Sequence, residues 1–118
     1  LPDGRAQLFW PITKRHNAVS MPVLEVAILQ VIPAQTLAFE QAFTKAQVII
    51  AASPGYVSHE LQRCLEKPNQ YILLVRWQKL ADHTDGFRQS AAYQEWKKLL
   101  HHFYSPFPVV EHYEAVVQ

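Results

Sequence analysis

The stretch YVSHELQRCLEKPNQYILLVRW, residues 56–77, decides the fold. Val57, His59, Leu61, Arg63 and Leu65 alternate with Tyr56, Ser58, Glu60, Gln62 and Cys64, the two-residue period of a strand with distinct faces. Lys67-Pro68-Asn69 then supplies turn chemistry, and Tyr71 to Trp77 is an apolar run, so the segment reads as a β-hairpin. Pairing Leu65 with Tyr71 sets Leu61 beside Val75 and His59 beside Trp77 on one face, with Glu60 beside Arg76 on the other. A slip by one residue would set Leu61 against Arg76 and separate that ion pair. The preferred register therefore predicts Trp77 and His59 beneath a helical layer, and Arg76 and Glu60 on the opposite side.

Upstream, Val23 to Ile32 is apolar on both parities apart from Glu25 and Gln30. That pattern suits a central strand covered on two faces, and Pro33 ends it by removing a ladder donor. Phe39, Ala42, Phe43, Ala46, Ile49 and Ile50 recur at helical spacing until Ser53-Pro54-Gly55 breaks the pattern. Downstream, a polar stretch containing Asp82, Asp85 and Gly86 reads as a loop. Ser90 can then cap a helix whose Tyr93, Trp96, Leu100 and Phe103 share one face while Lys97 and Lys98 meet water. Pro106-Phe107-Pro108 cannot continue it, and Val109 to Val117 alternates well enough for a last strand.

The order βαββαβ is the ferredoxin-like α+β unit, an antiparallel sheet with two helices on one face. A first strand apolar on both parities leaves the other face of such a sheet uncovered, so a symmetric homodimer through the sheet face is expected. The 118 residues, 49% hydrophobic and 18% charged, suit one domain rather than two. Residues 21–118 form the expected domain, and residues 1–20 are expected to be a leader segment outside it.

Composition also excludes partners. A net charge of +1 with no basic stripe argues against nucleic acid, and the longest apolar stretch is far short of the ~20 residues of a membrane helix. The single Cys64 allows no intrachain disulfide and suits a reducing compartment, and a cytoplasmic protein is expected. Six His form no established metal spacing, so no metal site is expected. No glycine-rich phosphate cradle occurs, and no cofactor is expected.

On the helix side, Trp77 and His59 would lie below Phe87, Tyr93 and Trp96. These aromatics serve either as core or as the wall of a site for a flat apolar ligand. His83 lies six residues after Trp77, in the loop placed to close over that space, where an imidazole suits proton abstraction or a local hydrogen bond. His112, beside Glu111 on the last strand, has the same two readings.

The segments PGYVSHELQRC (54–64), YILLVRW (71–77), DHTDGFRQSAAYQEW (82–96) and PFPVVEHYEAV (106–116) together resemble the antibiotic biosynthesis monooxygenase domain family, with the likeness running from Val23 to Val117. The resemblance implies a dimeric α+β barrel with a pocket between sheet and helices. It also implies cofactor-independent oxidation of a hydroxylated aromatic or quinol by O₂. In that chemistry His83 would be the base, Trp77, Phe87 and Trp96 would clamp the ring, and His59 or His112 would hydrogen-bond a substrate oxygen. A haem-degrading branch is similar at Trp77, but its strand-one Asn and helix-two His are not matched here. A non-catalytic dimeric binder of a small molecule is the alternative from another class.

Overall fold

The computed structural model describes residues 22–117; the leader expected at residues 1–20 lies outside them. Four antiparallel strands and two helices follow the expected order: β1 Val23–Gln30, α1 Thr36–Ala51, β2 Tyr56–Arg63, β3 Gln70–Trp77, α2 Ala91–Leu100 and β4 Val110–Glu114. The sheet order is β2-β3-β1-β4, so the strand with apolar residues on both parities is internal. Glu25, Ala27, Leu29 and Val31 face the helices and are buried, whereas Leu24 and Val26 are half-buried and Ile28 is 40% exposed on the open face. Phe39, Phe43, Ala46 and Ile50 of α1, with Trp96 and Leu100 of α2, close the other side of the core. The Ser90 side chain caps α2 as expected, accepting the Tyr93 N–H at 3.2 Å. Among the described residues no helix is long and apolar enough to cross a membrane.

The hairpin keeps the expected faces but not the expected pairs. Arg63, not Leu65, stands opposite Tyr71, Leu61 meets Leu73, and His59 meets Val75. The connection is wider than the Lys67-Pro68-Asn69 turn alone. The Cys64 N–H donates to the Gln70 carbonyl at 2.8 Å, and Leu65 is turned out, 93% exposed. A displacement of two residues preserves side-chain parity. Trp77 is therefore fully buried on the helix side and Arg76 is exposed on the open face, but Glu60 stands opposite Leu74. A bulge between Tyr56 and Ser58 brings Tyr56 opposite Trp77.

The polar loop after β3 is not irregular. Asp82–Phe87 winds into a single π-helical turn, with the Arg88 N–H donating to the His83 carbonyl at 3.0 Å, and it buries His83 and Phe87. Its start is anchored by Asp82, whose carboxylate accepts the Lys79 N–H at 3.0 Å. Gly55 packs directly against that carboxylate with φ +84°, and a Cβ there would overlap the Asp82 side chain. Gly55→Ala combines an unfavourable left-handed backbone with this overlap, so it should destabilise the fold by more than about 1 kcal/mol, read as a lowered thermal midpoint. An unchanged midpoint would show that the Asp82 anchor yields at no cost.

Candidate active site

Between the covered face of the sheet and α2 lies a cavity of about 340 Å³, at the small end of the ~300–1,000 Å³ typical of small-molecule sites. Ala27, Leu29, Ile50, Leu73 and Trp96 form its apolar wall, and Phe107 and Pro108 border it beyond α2. Its polar groups are Glu25, His83, Arg88, Tyr93, His101 and Tyr104. A few polar groups on an apolar wall can orient a flat ligand while excluding most water.

One end of the cavity is built around Glu25, which is 5% exposed. The Trp77 indole Nε1–H donates to its Oε1 at 2.9 Å. His83 Nε2 lies 3.4 Å from the same oxygen, and the other ring nitrogen, Nδ1, is 2.8 Å from His112 Nε2. The His83 ring also stacks on Trp77, with centroids 5.3 Å apart and planes 15° from parallel. The sheet register explains the convergence: Glu25 stands directly opposite His112 on β4 and Val75 on β3, two residues before Trp77.

Burial sets the protonation of this cluster. It pushes the Glu25 carboxyl up to about 7, against the opposing pull of the Trp77 hydrogen bond and the Arg88 charge. Burial lowers His83 to about 3, and the nearby positive charge of Arg88 and of His112 adds to the shift. His112 is lowered for the same first reason, with Arg88 next. Around neutral pH both imidazoles are therefore neutral, and Glu25 divides between its two forms.

The aromatic and imidazole residues singled out in the sequence take different places. His83, Tyr93 and Trp96 line the cavity. Trp77 and Phe87 stand behind that lining: Trp77 holds Glu25 and His83, while Phe87 packs edge-on against Tyr93 and Trp96 at 5.5 and 5.8 Å. His112 touches His83 and opens onto a separate shallow depression with Leu80 and Glu114. His59 lies apart from the cavity lining, bonded to the Tyr56 hydroxyl and, at 2.9 Å, to Gln47 Oε1. Among the described residues no group of three His, Cys, Asp or Glu is arranged to hold a metal ion. Glu25, Arg88, His101 and Tyr104 complete the polar lining without having been singled out beforehand. Only Glu25 carried a signal, as the lone charge in the apolar run of β1.

The family model for antibiotic biosynthesis monooxygenases matches residues 22–99. The chain belongs to the antibiotic biosynthesis monooxygenase family. An uncharacterized relative, YczJ of Bacillus subtilis, is 50% identical over 94 residues, spanning 80% of this chain and 99% of that protein. The deoxynogalonate monooxygenase of Streptomyces nogalater is 37% identical over 54 residues, 46% of this chain and 42% of that enzyme. Among solved structures, a Bordetella bronchiseptica protein assigned to the antibiotic biosynthesis monooxygenases superposes with a TM-score of 0.79 at 32% identity, covering 83% of this chain and all of that one. SnoaB, a cofactor-independent oxygenase from Streptomyces nogalater, shares the fold with a TM-score of 0.64 at 21% identity, over 84% of this chain and 95% of its own.

The buried carboxyl of this family member predicts a pH-dependent stability. Below about pH 4.5 the folded and unfolded chains both hold the Glu25 proton; between there and about 7 only the folded chain does, so rising pH favours unfolding through this group. His83 acts oppositely, because between about 3 and 6.5 only the unfolded chain binds its proton. Glu25→Gln removes the first effect alone. The variant should exceed the parent in stability at pH 8 by up to about 3 kcal/mol, with the gain fading below about pH 5. Thermal midpoints across pH test this; a gain that does not vary with pH would remove the titration of Glu25 as its cause.

Proposed function

We propose that the protein is a cofactor-independent monooxygenase that oxidises a hydroxylated aromatic or quinol with O₂ in the cavity beside Glu25 and His83. The observation that carries this reading is the buried Glu25–His83 pair, backed by the half-buried His112, at the end of an aromatic-lined cavity of about 340 Å³. Family membership and the fold shared with a cofactor-independent oxygenase support the same reaction class. The cavity suits a compact fused-ring substrate, with Trp96 and Tyr93 against its faces, Phe87 bracing them and Trp77 packed behind Phe87.

The chemistry needs little from the protein beyond a proton acceptor and a dry pocket. The substrate hydroxyl gives its proton to the Glu25–His83 pair, and the resulting anion passes one electron to O₂. The substrate radical and superoxide combine, forming a carbon–oxygen bond, and the peroxide so formed takes the proton back. The peroxide then loses water, its outer O–H leaving with the one hydrogen on the same ring carbon, and a second carbonyl forms on the ring. A hydroxylated ring thus becomes a quinone: its O–H and one ring C–H are converted to two C=O groups, and the four electrons released reduce O₂ to the new carbonyl oxygen and one water. His83 is a neutral imidazole held against the cavity by its stack on Trp77, and His112 and Arg88 shape its charge.

Oxygen uptake by the purified protein with hydroquinones, anthrones and naphthols, without flavin, nicotinamide or metal, tests the reading. Uptake should exceed the autoxidation blank and fall in His83→Ala by roughly 10²–10⁴-fold, the range of general acid–base catalysis. Ligand binding without uptake across the panel would instead make the protein a non-catalytic binder.

The open face of the sheet carries Leu24, Val26 and Ile28 of β1 beside Ile72 and Leu74 of β3, flanked by Arg76, Glu60 and Glu111. A second copy covering this face completes a dimeric barrel, and the free Cys64 thiol suits the cytoplasm. Val26→Asp should then yield a monomer by light scattering; a parent protein that is itself monomeric would overturn the dimer.

A further inference from the structure

We propose that Glu25 is the group that takes the substrate's proton and later returns it, and that His83 positions this carboxyl rather than meeting the substrate itself. This rests on the oxygenase reading above and names the atom on which its acid–base chemistry falls.

Geometry separates the two candidates. A neutral imidazole has one N–H donor and one acceptor nitrogen. Nδ1 of His83 is taken up by His112 at 2.8 Å, and Nε2 lies 3.4 Å from Glu25 Oε1 without a hydrogen bond of good geometry to it. Its ring face is covered by Trp77. Glu25 is differently placed. Its Oε1 receives the Trp77 N–H, while among the described residues Oε2 makes no hydrogen bond, and the residue lines the cavity. A substrate hydroxyl can therefore donate to Oε2 without displacing any existing partner.

The course of the reaction points the same way. The proton removed first is the proton needed on the peroxide later, so no net proton leaves the site, and the base must hold it while O₂ adds. Burial raises Glu25 to about 7, which lets this carboxyl both accept and keep a proton near neutrality. His83, lowered to about 3, would release it at once. The groups facing Glu25 are Trp77 from β3, His112 from β4, His83 from the π-helical turn and Arg88 just beyond it, with Tyr93 and His101 across the cavity. Of these only Arg88 is cationic at neutral pH, and it acts on Glu25 through space.

Calorimetric titration with 2-naphthol under argon tests the assignment without turnover. Its hydroxyl, like that of tyrosine at ~10, stays protonated through the range used. An ionised Glu25 accepts this hydroxyl better than a protonated one, so wild-type affinity should rise roughly tenfold between pH 5.5 and 8.5, with a midpoint near 7. The rise should vanish in Glu25→Gln, which keeps the oxygen that accepts the Trp77 N–H and so the local packing. It should persist in His83→Gln with a displaced midpoint. In the oxygen-uptake assay Glu25→Gln should lose more activity than His83→Gln, which should retain a pH profile shifted with that midpoint.

Affinity independent of pH in the wild type, or a rise that survives Glu25→Gln, overturns the assignment and leaves the oxygenase reading standing. No binding of naphthol at any pH defeats the reading of the cavity itself, and the assignment with it.

Discussion

A carboxyl group placed beneath a helix layer must find a donor, a proton or both, because an unpaired buried charge costs several kcal/mol. Glu25 has the Trp77 indole N–H as its donor, and burial raises its affinity for a proton. The rest of the site depends on this pair. Trp77 must be fully buried at the end of β3 to reach Glu25, and its ring face then becomes the surface on which His83 stacks. The π-helical turn that delivers His83 is held in place by Asp82 against Gly55, so a backbone contact remote from the cavity supports its polar end.

The position of β1 inside the sheet makes this arrangement possible. An internal strand has a neighbour on each side, and β3 and β4 bring Trp77 and His112 to flank one carboxyl. Ala27, two residues further along the same face, is small. A larger side chain there would fill space that now belongs to the cavity, which Trp96 and Tyr93 border from α2. The same strand turns Leu24, Val26 and Ile28 to the other side, where a half-exposed apolar face remains. One strand thus separates a polar cluster with a cavity from an apolar surface, using alternate residues for each.

Much of this was legible in the chain, for identifiable reasons. Alternation in β2 and the apolar run of β3 revealed the hairpin and which face each residue takes, since parity survives any even displacement of register. The displacement itself was not legible. Turn chemistry points to Lys67-Pro68-Asn69, but the Cys64–Gln70 hydrogen bond closes a wider loop, and loop width depends on backbone geometry that composition does not state. The segment around His83 reads as a polar loop because one π-helical turn is too short to display a period. Tyr93 and Trp96 were recognised as aromatic-face residues and line the cavity; Trp77 and Phe87, recognised on the same grounds, stand behind it.

The amino-acid sequence by itself determined the order of elements and the two faces of the sheet, because hydrophobic periodicity and turn residues are local properties, while its motifs carried the likeness to the antibiotic biosynthesis monooxygenase family. The site required the tertiary structure. The chain points both His59 and His83 toward the aromatic space beside Trp77, yet His59 bonds to Tyr56 and Gln47 away from the cavity while His83 lies at its end. Glu25 looks like a flaw in an apolar strand until β3, β4 and the π-helical turn close around it. Its role follows from burial and from the three partners that converge on it, and those partners lie between 52 and 87 residues away in the chain, separations that no local pattern encodes.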